Sequence, residues 1–167
     1  EPADGDGPSL VLRKPESGPD LNDPVNWRPS IDAGGSPGSD DRTNLAEWLS
    51  LNEFADPHGD PDGNGLTHFM NYAYGGEFAP LIEVRALEVD GLVEDYLTIS
   101  YRENGVAEDI EILAESSGDL ANWSPIDVVE VSRTWQQDGT AEIVVRDLLP
   151  LPLNETRFVR LNISITP

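Results

Sequence analysis

Apolar and polar residues alternate through most of the second half of the chain. Residues 81–89 (LIEVRALEV), 95–102 (DYLTISYR), 109–117, 126–135, 140–148 and 157–165 each carry this period, and Gly, Pro, Asn or Asp separates many of them. A period of two predicts strands with one face turned to a core. In 95–102, Leu97, Ile99 and Tyr101 alternate with Thr98 and Ser100; in 157–165, Val159, Leu161, Ile163 and Ile165 share one face. Asn104-Gly105 predicts a hairpin turn into 109–117, and Asp138-Gly139 predicts one between 126–135 and 140–148. Six short strands with no helices between them predict a mainly β fold, an antiparallel immunoglobulin-like β-sandwich, and exclude a Rossmann-like alternation.

The first half follows other rules. Residues 43–54 (TNLAEWLSLNEF) place Leu45, Trp48 and Leu49 at helical spacing, with Asn44 and Glu47 as a capping pair. A second helix is expected over 66–74, where Leu66, Phe69, Met70 and Ala73 share a face and Gly75-Gly76 ends the run. Residues 1–42 are rich in Gly, Pro, Asp and Ser, with one strand-like stretch at 9–12 and Trp27 as an anchor, so an irregular N-terminal segment is expected. The organisation expected is an extended segment over 1–42, a helical connector over 43–80 and a terminal sandwich over 81–167.

Charge narrows the function. Thirty-two acidic against 10 basic residues give a net charge of −22. Such a surface repels nucleic acid and anionic lipid and attracts cations. With no cysteine, disulfides, thiolate metal sites and a cysteine nucleophile are excluded. No signal peptide or apolar run of spanning length is present, and the absence of an initiator Met suggests a processed chain or an excised piece. His58 and His68 are the only histidines, and they read as solvated loop or helix residues. No phosphate-cradling glycine loop and no HExxH signature occurs, so nothing specific points to an enzyme.

One stretch does point to chemistry. In residues 60–71 (DPDGNGLTHFMN), oxygen-bearing side chains recur at every second position before the pattern turns apolar. A calcium loop of the EF-hand type needs hard oxygen ligands at its first, third, fifth, seventh and twelfth positions, and Gly at the sixth for a sharp turn. Counted from Asp60, these are Asp62, Asn64, the backbone carbonyl of Leu66 and Asn71, with Gly65 at the turn. The twelfth position departs from the rule: Asn71 offers one neutral oxygen where a bidentate carboxylate is usual. That should lower the affinity for Ca2+, or leave room for water or for another carboxylate such as Asp56 or Asp119.

Three stretches carry resemblances. The acidic run resembles the calcium loops of dockerins and thrombospondin type 3 repeats. DGDGPSLVL (4–12), DPVNWRPS (23–30) and GGSPG (34–38) resemble the closing part of a bacterial lamin-tail domain. ISYRENG, ILAESSGDLANWSP and RFVRLNISI resemble the C-terminal β-domain of large secreted proteins of Verrucomicrobia- and Planctomycetes-type bacteria. Together they imply a secreted or surface-bound, non-catalytic module of a larger protein, whose inter-module geometry calcium fixes. Its expected partners are the rest of that precursor or copies of itself, through β-edge pairing or strand complementation by residues 9–12. A carbohydrate-binding accessory module is the alternative, with Trp123, Trp135, Tyr96 and Tyr101 as stacking candidates. Asn122, Asn154 and Asn162 lie in Asn-x-Ser/Thr acceptor patterns of no expected consequence.

Overall fold

The computed structural model describes residues 7–151 and 156–166; Asn154 lies outside them. The protein is mainly β, with antiparallel sheets and two short helices. Its strands are β1 (Pro8–Leu12), β2 (Trp27–Ala33), β3 (Leu81–Val89), β4 (Leu92–Asn104), β5 (Ile110–Ser117), β6 (Val128–Trp135), β7 (Thr140–Asp147) and β8 (Phe158–Ile165). The helices are α1 (Leu45–Leu51) and α2 (His68–Tyr74).

The last six strands form two layers. One sheet has the order β3-β4-β7-β6 and the other pairs β5 with β8, every pairing antiparallel. Alternate residues meet between the layers: Ile99 and Tyr101 of β4, Ala141, Ile143 and Val145 of β7, Ala114 of β5 and Val159 of β8. The predicted alternation thus selects the core-facing side of these strands. The Asp138-Gly139 turn joins β6 to β7, as expected.

A turn at Asp90-Gly91, with φ of 53° and 81°, starts β4 at Leu92 and so lengthens the strand expected over 95–102. Positive φ at both central residues matches the right-handed twist of a hairpin. The Asn104-Gly105 hairpin does not form. β4 pairs with β3 and β7, while β5 crosses to the other layer. The Asn104 side chain is buried instead; its Nδ2 donates to the carbonyl of Tyr72 at 2.9 Å and its Oδ1 accepts from the amide of Val106 at 3.2 Å.

The helices close one end of the core. Asn44 caps α1, its Oδ1 accepting from the Glu47 amide at 2.9 Å, and Gly75 ends α2 in the left-handed conformation. Leu45, Tyr72 and Ala73 pack with Ala107 and Ile110, and Ile112 and Ile163 border the cluster. The Tyr72 hydroxyl lies 2.7 Å from both the Thr43 carbonyl and Asp109 Oδ1, and Asp109 Oδ2 accepts from the amide of Leu45. Burial, reinforced by the Asp109 carboxylate, pushes the Tyr72 hydroxyl far above its usual pKa. Tyr72→Phe leaves these acceptors short of a donor, and urea unfolding should show a loss of about 1–3 kcal/mol.

Within the described part of the N-terminal segment, which is otherwise turns and loops, β1 and β2 form an antiparallel pair whose side chains dock on the sandwich. Arg13 pairs with Glu103 of β4, which also pairs with Arg133 of β6, and the Arg13 guanidinium lies 5.5 Å from the Trp135 ring. Arg28 is fully buried and pairs with Asp41. Ordering of this polar stretch comes from ion pairs rather than apolar burial, which its composition could not show. The Trp27 indole donates to the Leu21 carbonyl at 3.0 Å.

Candidate metal centre

The acidic run lies between α1 and α2. Its base is pinned to α2: the His68 amide donates to the Gly59 carbonyl at 3.0 Å and the Phe69 amide to the Pro57 carbonyl at 2.8 Å. Leu66 is buried and anchors the loop's far end.

Within the loop the carboxylates are held by backbone donors. Asp60 accepts from the amides of Asn64 and Gly65, at 3.2 and 3.0 Å. Asp62 accepts from the Asn64 amide at 3.3 Å and from Asn64 Nδ2 at 2.9 Å. Asn64 Oδ1 accepts from the Leu66 amide at 2.7 Å. The chain therefore wraps around the oxygens of Asp60, Asp62 and Asn64. Gly65, at φ 87°, supplies the turn that a side chain would strain.

Asn71 follows on α2. Its Oδ1 is buried and has no hydrogen-bond partner. A buried amide oxygen without a donor is costly, about 1–3 kcal/mol, unless something positive meets it. It belongs to the residue that the spacing assigns to the twelfth position, so the donor set fits a hard cation on this point.

The two extra carboxylates are not part of the wrap. The Asp56 carboxylate accepts from the amide of His58 at 2.9 Å, and Asp56 does not join Asp60 and Asp62. Asp119 caps its own turn, accepting from the amides of Asn122 and Ala121 and from Asn122 Nδ2. These bonds hold its carboxyl well below the usual range. Among the described residues no three His, Cys, Asp or Glu side chains gather around one point. The loop's candidates are two carboxylates supplemented by amide and backbone oxygens.

His68 departs from its expected solvated role. It is 9% exposed, its ring stacks on Phe54 with centroids 3.8 Å apart, and its Nδ1 lies 2.8 Å from the Asp56 carbonyl. The stacking partner lies fourteen positions upstream on the far side of the loop, so no local pattern reveals it. His58 stays exposed.

The aromatic candidates do not form a platform. Tyr96 and Tyr101 are buried. Trp123 is half-buried against the Arg160 guanidinium, 4.2 Å from the ring, and Trp135 lies against Arg13. Among the described residues no helix is long and apolar enough to cross a membrane. Neither a protein-family model, nor a curated protein, nor a solved structure matches this chain.

Proposed function

We propose that this chain is a non-catalytic extracellular structural module in which Ca2+ holds the α1–α2 segment in place. The observation that carries the reading is the orphaned, buried Oδ1 of Asn71 at the position where a loop counted from Asp60 needs its last ligand. Asp60, Asp62, Asn64, the Leu66 carbonyl and Asn71 are the proposed ligands. Two carboxylates drawn together repel each other, and a divalent ion among them reverses that cost, so binding and ordering of the loop are coupled. Because the loop joins the helices that close the core, the ion acts mechanically.

The strand order supports an immunoglobulin-like reading of the sandwich. The order β3-β4-β7-β6 in one layer and β5-β8 in the other follows the first six strands of a constant-type domain, A-B-E-D and C-F. The lamin-tail resemblance of 4–38 and the secreted-protein resemblance of the terminal region are in keeping with an accessory role in a larger assembly.

Calorimetric titration with CaCl2 tests the metal. We expect one site, lost in Asp60→Ala and Asp62→Ala and tightened about tenfold in Asn71→Glu, which restores a carboxylate at the last position. Chelation should increase cutting by an Asp-directed protease within residues 55–66. A digestion pattern indifferent to EGTA, with no binding heat, rules the reading out.

A further inference from the structure

The two layers of the sandwich are unequal, and their offset leaves a vacant strand position. β8 lies over β4 and β5 over β6, so the next position beyond β8 lies over β3. Ser116 of β5 exchanges both backbone bonds with Ser124, so its pair with Val159 of β8 is a non-hydrogen-bonded one. By the alternation of an antiparallel ladder, the N–H and C=O groups of Val159, Leu161, Ile163 and Ile165 therefore point away from β5. The Thr166 amide, which bonds back to the Asp109 carbonyl at 2.8 Å, fits that alternation. Among the described residues no strand pairs with this edge. It lacks the usual protections too, having no Pro, no inward charge and no bulge.

The floor of the vacant position is apolar. Ile82 and Val84 of β3 sit opposite Ile99 and Leu97 of β4, on the core-facing side of the sheet. Yet they are 52% and 54% exposed, and Ile165 on the core-facing side of β8 is 58% exposed. Among the described residues, a row of backbone donors and acceptors above an uncovered strip of core has the shape that receives one more strand.

We propose that this slot takes one extended segment of another polypeptide, with apolar residues at alternate positions pointing in and basic residues pointing out. A second copy does not fit by pairing β8 with β8, because the copy carries its own β4 beneath its β8. That strand would have to occupy the space β3 already holds. Only a segment free of its own second layer enters. Charge selects the outward positions: β8 itself carries no acidic residue, but the molecule around it has a net charge of −22 and attracts a cationic strand. Backbone pairing supplies affinity and the apolar strip supplies register, as in strand addition generally. This extends the assembly role proposed above but rests on strand order, not on calcium.

Amide exchange followed by NMR on the whole 167-residue chain tests the slot. In the free protein, the amides of Val159, Leu161, Ile163 and Ile165 should exchange fast, while those of Arg160, Asn162 and Ser164 are protected by β5. Adding the peptide Lys-Val-Thr-Val-Lys-Ile-Thr-Val-Lys should slow the first set about tenfold or more. The same peptide N-methylated on its β8-facing amides should have no effect, and one with Glu for Lys should bind more weakly. Ile165→Pro removes an N–H that points off the sheet at a residue 58% exposed, so it should stay folded and weaken the peptide. Protection of the four amides in the free chain, no slowing at about 1 mM peptide, or protection arising from self-association in sedimentation would each overturn the proposal. Run in CaCl2 and in EGTA, equal peptide binding separates this result from the fate of the metal site.

Discussion

Glu103→Ala is expected to lower the unfolding free energy by about 3 kcal/mol, the lower end of the range for removing one partner of a buried ion pair, because the Glu103 side chain is still 17% exposed. Glu103 lies on β4 on the same side as the core residues Ile99 and Tyr101, and both of its oxygens are engaged, one by Arg13 and one by Arg133. Without it, two guanidinium groups face each other at the seam between the N-terminal hairpin and the sandwich. Arg133 keeps Glu130 at 2.9 Å, whereas Arg13 is left with the Val25 carbonyl at 3.4 Å and the face of the Trp135 ring. The hairpin should therefore loosen first, read as faster proteolysis after Arg13 and a change in Trp135 fluorescence. Glu103→Gln retains the shape without the charge and should cost less.

The same carboxylate makes a pH prediction. Burial pushes the Glu103 carboxyl up, yet Arg13 and Arg133, through charge and hydrogen bonds, outweigh it and hold it below the ordinary value of 4.5. A folded value below the unfolded one means that its contribution is fully present above about pH 4.5 and is lost as the pH falls through the folded value. The gap in urea stability between wild type and Glu103→Ala should be flat from pH 6 to 8, on the order of the value above, and should shrink in acid. A gap that stayed the same in acid would assign the effect to packing rather than charge.

Much of this architecture was legible, and the reasons differ by element. Strands β3 to β8 follow from alternation because one face of each is apolar and turned to a shared core, so the local pattern and the tertiary answer agree. The hairpin of β1 and β2 was legible only at its first strand. WRPSIDA contains a Pro and few apolar residues, and what it buries is Arg28 and Ser30. Asp41 holds the two terminal nitrogens of Arg28, whose buried Nε is left without a partner, and Ser30 bonds to the backbone of Ser9 and Asp32, none of which spacing reveals. Asn104-Gly105 misled for a related reason: a strong local turn signal yielded to pairing of β4 with β7. In the candidate metal loop, counting from Asp60 marked Asp60, Asp62, Asn64 and Asn71 as proposed ligands, and the hydrogen bonds among the first three follow the turn that the glycines allow. The burial of His68 was not legible, since it depends on how α2 folds back over the loop.

The second large effect is expected at Asp147. This carboxylate is fully buried at the end of β7 and accepts from Arg157 Nε at 2.8 Å, from Arg157 Nη2 at 2.9 Å and from the amide of Leu149 at 3.0 Å. Arg157 leads into β8 and also reaches Ser116 Oγ of β5 at 3.3 Å, so the pair ties the four-stranded layer to the two-stranded one. Asp147→Ala removes a fully buried carboxylate and its three accepted hydrogen bonds at once and should cost about 3–5 kcal/mol. For a chain of this size that lowers the melting temperature by roughly 6–20 °C. Asp147→Asn keeps an acceptor of the same shape and should recover part of the loss. The location of the damage separates this variant from Glu103→Ala. Amide exchange at Arg160, Asn162 and Ser164 should accelerate in Asp147→Ala, because β8 loses its tether to the opposite layer, while the N-terminal hairpin stays docked. The two sites share no partner, so the double variant should lose the sum of the single losses to within about 0.5 kcal/mol. A double variant much more stable than that sum would mean that the hairpin seam and the β7–β8 tie report one common unfolding of the two layers.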